Sequence, residues 1–212
     1  GISFYGVGNG TVVENIQAYK GADDGLEFFG GSVNVKNIVV TSCSDDSFDW
    51  TEGWNGKGQF LVAYQEGESS LGYDCDCLME CDNNSKDLAA TPTSHPVLAN
   101  VTLVGNGGEK QGVRLRAGTQ VELYNAIIAN KGKALTIETV ETENSLADGT
   151  SVLENVAIST ELDSENSIYT NDMFVKAGNL TNQKFELSDF FVDAPYKGAV
   201  SADNNWTAGW TL

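Results

Sequence analysis

Two short acidic segments contain the side chains best suited to chemistry. Ala22-Asp-Asp-Gly-Leu-Glu-Phe28 and Ser44-Asp-Asp-Ser-Phe-Asp-Trp50 repeat one pattern of carboxylates 22 residues apart. Carboxylate oxygens suit calcium, which accepts flexible coordination by oxygen ligands. We predict a calcium site among acidic residues that a repeating fold would bring together: Asp23, Asp24, Glu27, Asp45, Asp46, Asp49 and Glu80.

A structural interpretation of the same segments stays open. Asp-Asp-Gly and Asp-Asp-Ser favour turns in which the Asp side chain bonds its own backbone and the charge stays solvated. If the two segments stack about 4.8 Å apart, however, their carboxylates repel each other by roughly 1–4 kcal/mol, depending on exposure. A bound cation would relieve that repulsion.

Two arginines, Arg114 and Arg116, follow in Gly112-Val-Arg-Leu-Arg-Ala-Gly118. Beside a calcium ion, either could act on an acidic sugar. We favour the simpler interpretation, in which Arg114 neutralises Glu80 and Arg116 caps a turn. No catalytic residue is therefore assigned, and Arg114 and Arg116 remain the alternative candidates.

Other catalytic schemes lack their residues. His95 is the only histidine, and the chain has no Gly-x-Ser-x-Gly segment, no phosphate-binding loop and no dinucleotide fingerprint. Trp50 and Trp54 could stack on sugar rings, although such side chains more often pack in a core.

Charge and cysteine content narrow the setting. The 30 acidic and 12 basic residues give a net charge of −18, which disfavours nucleic acid and favours cations. No apolar run reaches the ~20 residues that span a bilayer. Four cysteines, Cys43, Cys75, Cys77 and Cys81, indicate either disulfides of undetermined pairing or packed thiols, since their spacing is not typical of zinc. Five Asn-x-Ser/Thr sequons begin at Asn9, Asn83, Asn100, Asn179 and Asn205 and matter only in a host that glycosylates.

The elements that would position the acidic residues form a repeat. Val13-Glu-Asn-Ile and Val35-Lys-Asn-Ile are also 22 residues apart, and a fixed period of 20 to 50 residues is typical of a solenoid. Short alternating segments such as 33–40 and 97–104 predict strands between Gly-rich turns. A ladder of side-chain amides at one turn predicts about six coils: Asn15, Asn37, Gln59, Asn100, Asn125 and Asn155.

These patterns predict an all-β protein that folds as one parallel β-helix domain. Residues 1–159 would form the coils, 160–184 an irregular insertion, and 185–212 a capping tail over the last coil, because a bare strand edge needs covering. No N-terminal cap is visible, and the start at Gly1 without a signal peptide indicates a processed or partial chain. With a period of two, a column of residues should face outward: Glu27, Asp49, Glu80, Arg114 and Thr136.

Several segments of the sequence resemble those of one protein family. Asp23-Asp-Gly-Leu-Glu-Phe-Phe-Gly-Gly31, Asp45-Asp-Ser-Phe-Asp-Trp-Thr-Glu-Gly-Trp54, Gly112-Val-Arg-Leu-Arg-Ala-Gly118 and Asn205-Trp-Thr-Ala-Gly-Trp-Thr211 are similar to secreted or lipid-anchored bacterial surface proteins. The resemblance covers nearly the whole chain and implies a right-handed parallel β-helix, mostly of unassigned function, outside the cell. This chain has Leu78-Met-Glu-Cys-Asp-Asn83 where relatives read Gly-Ile-Glu-x-Asp-Asn, and its cysteine cluster is peculiar to it.

A weaker resemblance, limited to Asp-Asp-Gly, is to calcium-dependent β-helix polysaccharide lyases. It implies a Lys or Arg base, for which Arg114 and Arg116 are the candidates.

Two functional hypotheses follow. The first is an extracellular structural or adhesive solenoid that associates with itself through its coil ends, head to tail, into filaments. The alternative is a calcium-dependent carbohydrate-active protein, either lyase-like or glycan-binding, with a polysaccharide partner. Neither requires nucleic acid or a transmembrane segment.

Overall fold

The computed structural model describes residues 1–178 and 190–212. Within them the chain forms thirteen strands: β1 Ile2–Tyr5, β2 Val12–Tyr19, β3 Leu26–Phe29, β4 Asn34–Thr41, β5 Phe48–Thr51, β6 Lys57–Tyr64, β7 Met79–Cys81, β8 Val97–Val104, β9 Gln111–Leu115, β10 Glu122–Ala129, β11 Lys133–Ile137, β12 Val152–Ile158 and β13 Asp163–Ser164. Three short helices accompany them: α1 Glu68–Leu71, α2 Val140–Ala147 and α3 Asn171–Gly178.

The strands alternate between two parallel sheets. Sheet A contains the odd-numbered strands in the order β1-β3-β5-β7-β9-β11-β13, and sheet B contains β2-β4-β6-β8-β10-β12. Each odd strand and the even strand after it make one coil, so the solenoid has six complete coils and the start of a seventh. The predicted parallel β-helix is confirmed. No described helix is long and apolar enough to cross a membrane.

The register of sheet A confirms the predicted columns. Glu27 lies beside Asp49, Asp49 beside Glu80, Glu80 beside Arg114, and Arg114 beside Thr136. Their neighbours along each strand, such as Phe28 and Trp50, point into the core because successive side chains alternate between faces. The outward column is therefore a line of acidic side chains followed by one arginine.

An aromatic stack fills the core of the first three coils. Phe28 lies between Phe4 and Trp54, with ring centroids 5.1 and 4.0 Å away, and Trp50 tilts against Trp54 at 5.7 Å. Both tryptophans are 1% exposed, and their indole N–H groups donate to Thr119 and to the Val33 carbonyl. The favoured interpretation of Trp50 and Trp54 as core residues is therefore confirmed, and the sugar-stacking alternative is contradicted.

The strands of sheet B bend in the middle. Six residues at equivalent positions have φ between 55° and 60°, a left-handed conformation that Asn tolerates well: Asn15, Asn37, Phe60, Asn100, Asn125 and Asn155. The predicted ladder is wrong at one rung, since Phe60 and not Gln59 lies at the bend. Gln59 nevertheless donates to the side chain of Asn100, 3.1 Å away, and Asn155 donates to Asn125.

The described part of the tail covers the side of the solenoid. The backbone of Val192 exchanges two 2.9 Å hydrogen bonds with the Gln59 side chain, and Asn100 donates to the carbonyls of Ala194 and Tyr196. The bends of sheet B turn these amides outward, and the tail backbone satisfies them. The predicted placement over the last coil is thus corrected, while the predicted boundary between 184 and 185 lies outside the described residues.

The last coil is covered instead by residues that follow it directly. Leu162, Tyr169 and Phe174 are buried, and α3 packs on β12. Glu143 of α2 is fully buried and accepts hydrogen bonds from Ser164 and from the backbone N–H groups of 166, 168 and 169. Burial alone would raise the pKa of Glu143, but these hydrogen bonds outweigh it and lower the pKa. The ionised carboxylate therefore ties this cover to the solenoid.

All four cysteines are buried as free thiols. Burial raises the pKa of Cys43 and Cys75, which favours the uncharged form. The structure thus agrees with packed thiols, and the disulfide alternative is not present in it.

Candidate functional site

The acidic residues meet where sheet A begins in the second and third coils. Ligand oxygens of Asp24, Glu27 and Asp49 lie within 4.8 Å of one another, as do those of Asp23, Asp24 and Asp45. Asp24 belongs to both groups, so five of the seven predicted metal residues come together. Asp46 forms a separate group with Asp76 and Cys77.

Local hydrogen bonds explain why the chain folds this way. Asp24 Oδ1 accepts the backbone N–H of Asp46 at 3.0 Å, and Asp46 Oδ1 accepts that of Cys77 at 2.7 Å. Each side chain therefore bonds the next coil, not its own turn as the structural interpretation had it. A Cβ on Gly25 would lie 2.4 Å from the Ser47 carbonyl oxygen, so glycine is needed for this close stacking.

The electrostatics of the group are strongly unfavourable for ionised carboxylates. Burial, supported by repulsion from neighbouring carboxylates, raises the pKa of Asp24 to about 7, of Asp46 to about 8 and of Asp49 to about 9. Among the residues that the structure describes, no lysine or arginine pairs with these three. A cation from solution could supply the missing positive charge.

The two arginines are held in ion pairs farther along the same face. Arg114 donates to Glu138 at 2.8 and 3.1 Å and to Glu80 at 3.1 Å. Arg116 donates to Asp82 at 2.6 and 3.1 Å and lies 3.2 Å from Glu80. The pairing of Arg114 with Glu80 is as predicted, whereas the Arg116 side chain pairs with carboxylates and caps no turn.

Glu80 differs from the other predicted metal residues. Its oxygens Oε1 and Oε2 each face one guanidinium group, so its charge is already compensated. The face therefore divides into an uncompensated acidic group, which we define as Asp24, Glu27 and Asp49, and a paired region around Glu80.

Four partners of this face were not among the predicted site residues: Asp76, Asp82, Lys110 and Glu138. Glu138 holds Arg114, and its place directly after β11 in the column of Arg116 was the available signal. Lys110 lies 3.4 Å from Asp76. His95 lies in the loop before β8, 3.6 Å from Glu122, and does not join the acidic group.

A family model described as a pectate-lyase like beta helix domain matches residues 1–211. The chain belongs to this family. No curated protein and no solved structure shows a significant similarity to this pectate-lyase-like β-helix protein. The family match covers the whole solenoid and the tail to residue 211.

Proposed function

We propose that this pectate-lyase-like β-helix protein is an extracellular binding module that holds calcium in its acidic group and, through the ion, an acidic polysaccharide. The observation that carries the proposal is the close approach of Asp24, Glu27 and Asp49 without a compensating cation among the described residues. Calcium takes six to eight oxygen ligands, more than three side chains supply. The remaining positions can hold water and a sugar carboxylate.

Binding is favoured over cleavage because no free base among the described residues faces the group. Arg114 donates to Glu138 and Glu80, and Arg116 donates to Asp82 and forms an ion pair with Glu80. These contacts raise the pKa of both guanidinium groups. A guanidinium held in this way does not accept a proton from a sugar. The lyase-like alternative is supported only by the family match.

The test is affinity electrophoresis in gels that contain polygalacturonate, with calcium or with EDTA. We expect retardation in calcium only, and at least a tenfold weaker retention for Asp49→Asn, which removes one ligand charge at about constant volume. Asp203→Asn, on the exposed tail, is the matched control and should behave as the parent. Equal retention in EDTA would contradict the calcium bridge, and appearance of unsaturated uronate ends would contradict a purely binding role.

Self-association is a second candidate because, within the described residues, β1 pairs with β3 on one side only. Tyr5 is 70% and Val12 80% exposed there. The backbone N–H groups of Ile2 and Gly6 donate to β3, so by alternation those of Ser3 and Tyr5 point away from the sheet and can pair with another chain. The opposite end is covered by α3, so a head-to-tail contact would join this edge to that cover.

Ser3→Pro tests this association. The substitution removes a backbone donor from the open edge and no backbone hydrogen bond from the sheet, and it also removes the hydrogen bond from the Ser3 hydroxyl to Glu27. If the edge pairs, electron microscopy should show filaments of the parent and dispersed particles of the variant. Identical appearance of the two proteins would exclude pairing through β1.

A further inference from the structure

A second concave surface lies on sheet B, away from the acidic group. It is a groove of about 690 Å³ between the second halves of β2, β4 and β6 and the tail residues Thr207, Thr211 and Leu212. This volume falls in the range of small-ligand sites, roughly 300–1,000 Å³. Neither the proposed calcium site nor the open edge of β1 uses it.

Two tyrosines stand on one column of this groove. Tyr19 and Tyr64 flank Thr41 on the adjacent strands, and they are 43% and 48% exposed. Since neighbouring strands lie about 4.8 Å apart, the two rings originate about 9.6 Å from each other. Contacts between carbon atoms are best at about 3.5–4.0 Å. The space between the two tyrosine rings therefore suits one saturated ligand ring, with a tyrosine against each of its faces.

An ion pair holds the side chains beside Tyr19 at one side of this groove. Lys20 lies 5.3 Å from the centroid of the Tyr19 ring and forms a 3.0 Å ion pair with Glu66. Glu66 is the only charged side chain among the described residues that line the groove, and Lys20 compensates it. The groove thus offers no free cation to an anionic ligand.

The rest of the lining is apolar below and hydroxylated at the sides. Val39 and Val62 form the floor, and Thr41 and the tail threonines provide hydroxyl groups. A β-linked glucose ring has the complementary surface, with C–H groups on both faces and hydroxyl groups around the edge. The rings and the hydroxyls therefore match a neutral sugar better than a purely apolar molecule.

We propose that this groove binds a pyranose ring of a neutral β-glucan between Tyr19 and Tyr64. The site goes beyond the calcium-dependent function, because it lies on the other sheet and its lining contains none of the acidic group. Binding of the neutral glycan needs no metal ion. The protein would then hold two different polysaccharides on two faces.

The experiment is saturation-transfer NMR and calorimetry with cellohexaose in EDTA, where the calcium site is empty and cannot contribute. We expect binding by the parent and at least a tenfold loss in the Tyr19→Ala/Tyr64→Ala protein. Thr211→Trp, which fills the groove from the tail and leaves the sheet unchanged, should also lose binding. Tyr5→Ala removes an exposed tyrosine from sheet A, outside the groove, and should bind as the parent.

Two results would overturn the proposal. One is the absence of saturation transfer from the parent to cellohexaose at millimolar concentration. The other is unchanged affinity in the double tyrosine variant with an unchanged melting temperature. If the parent binds cellohexaose but is not retained by polygalacturonate in calcium, the calcium bridge is rejected and the proposal for this groove stands.

Discussion

Raising the pH from 5 to 9 in EDTA is expected to lower the melting temperature by about 6–12 °C. Aspartates of an unfolded chain ionise near pH 3.9. In the folded protein burial holds the pKa of Asp24, Asp46 and Asp49 at about 7, 8 and 9. Between these limits the folded state binds more protons than the unfolded state, so the free energy of unfolding falls as the pH rises.

The size of the effect follows from the shared repulsion among the three groups. Because they do not titrate independently, we count only about two pKa units, or about 3 kcal/mol. For a chain of this length each kcal/mol corresponds to about 2–4 °C. Glu143 has the opposite sign, since its lowered pKa gives stability that is fully present above about pH 4.3 and is lost only in stronger acid.

Calcium should abolish this fall, because the ion binds the ionised carboxylates and stabilises the folded state by mass action. Thermal melts at pH 5, 7 and 9, with EDTA or calcium, measure both effects. Asp46→Asn/Asp49→Asn should flatten the dependence in EDTA, whereas Asp203→Asn should keep it. A parent protein equally stable at pH 5 and pH 9 in EDTA would contradict the unfavourable burial of these groups.

Trp54→Ala should destabilise the protein by about 3–5 kcal/mol. The indole is 1% exposed, stacks on Phe28 at 4.0 Å and donates to the Val33 carbonyl at 3.1 Å. The chain runs so close at this point that a Cβ on Gly56 would lie 2.6 Å from the indole nitrogen. The surrounding coils therefore have little freedom to collapse into the cavity.

Urea denaturation of two further variants separates the contributions to this loss. Trp54→Phe keeps an aromatic ring and leaves the Val33 carbonyl unpaired, so we expect a loss of about 1–3 kcal/mol. Trp210→Ala, at a 37% exposed position of the tail, should cost less than about 1 kcal/mol. A Trp54→Ala protein as stable as Trp210→Ala would show that the stack is not a stabilising element.

The fold was predictable because the alternating strand pattern recurs in successive coils, although the 22-residue spacing is not kept in the third and fourth. The 22-residue period and the alternation of Glu27 with its apolar neighbours fix both the coil and the outward column, and the register confirms them. The error at Gln59 has a local cause. Phe60 takes a left-handed conformation that Asn adopts more readily, so the amide pattern selected the residue before the bend.

The tail was harder to place because its contacts are made by its backbone. Residues such as Val192 and Ala194 bond the side chains of Gln59 and Asn100, and backbone groups carry no sequence signal. The need to cover a bare strand edge favoured a cap over the last coil. The buried carboxylate of Glu143, which ties down the actual cover, was likewise not visible in an acidic sequence.

The sequence predicted which acidic residues come together, but not which of them are paired with arginines. Stacking of Asp24 on Asp46 and the pairing of Arg114 with Glu80 follow from the repeat, but the second contact to Glu80, from Arg116, depends on side-chain directions in later coils. Coil equivalence also does not reveal which carboxylates are buried enough to hold protons at neutral pH. These features separate the proposed ligands from the paired residues.

Calorimetric titration of EDTA-treated protein with calcium tests the central claim most directly. At pH 7, in two buffers of different protonation enthalpy, we predict one ion per chain, a Kd no weaker than about 1 mM and release of about two protons. Asp49→Asn should lose most of the affinity and release fewer protons. Absence of binding heat in both buffers, or equal binding by Asp49→Asn, would contradict a calcium site in the acidic group.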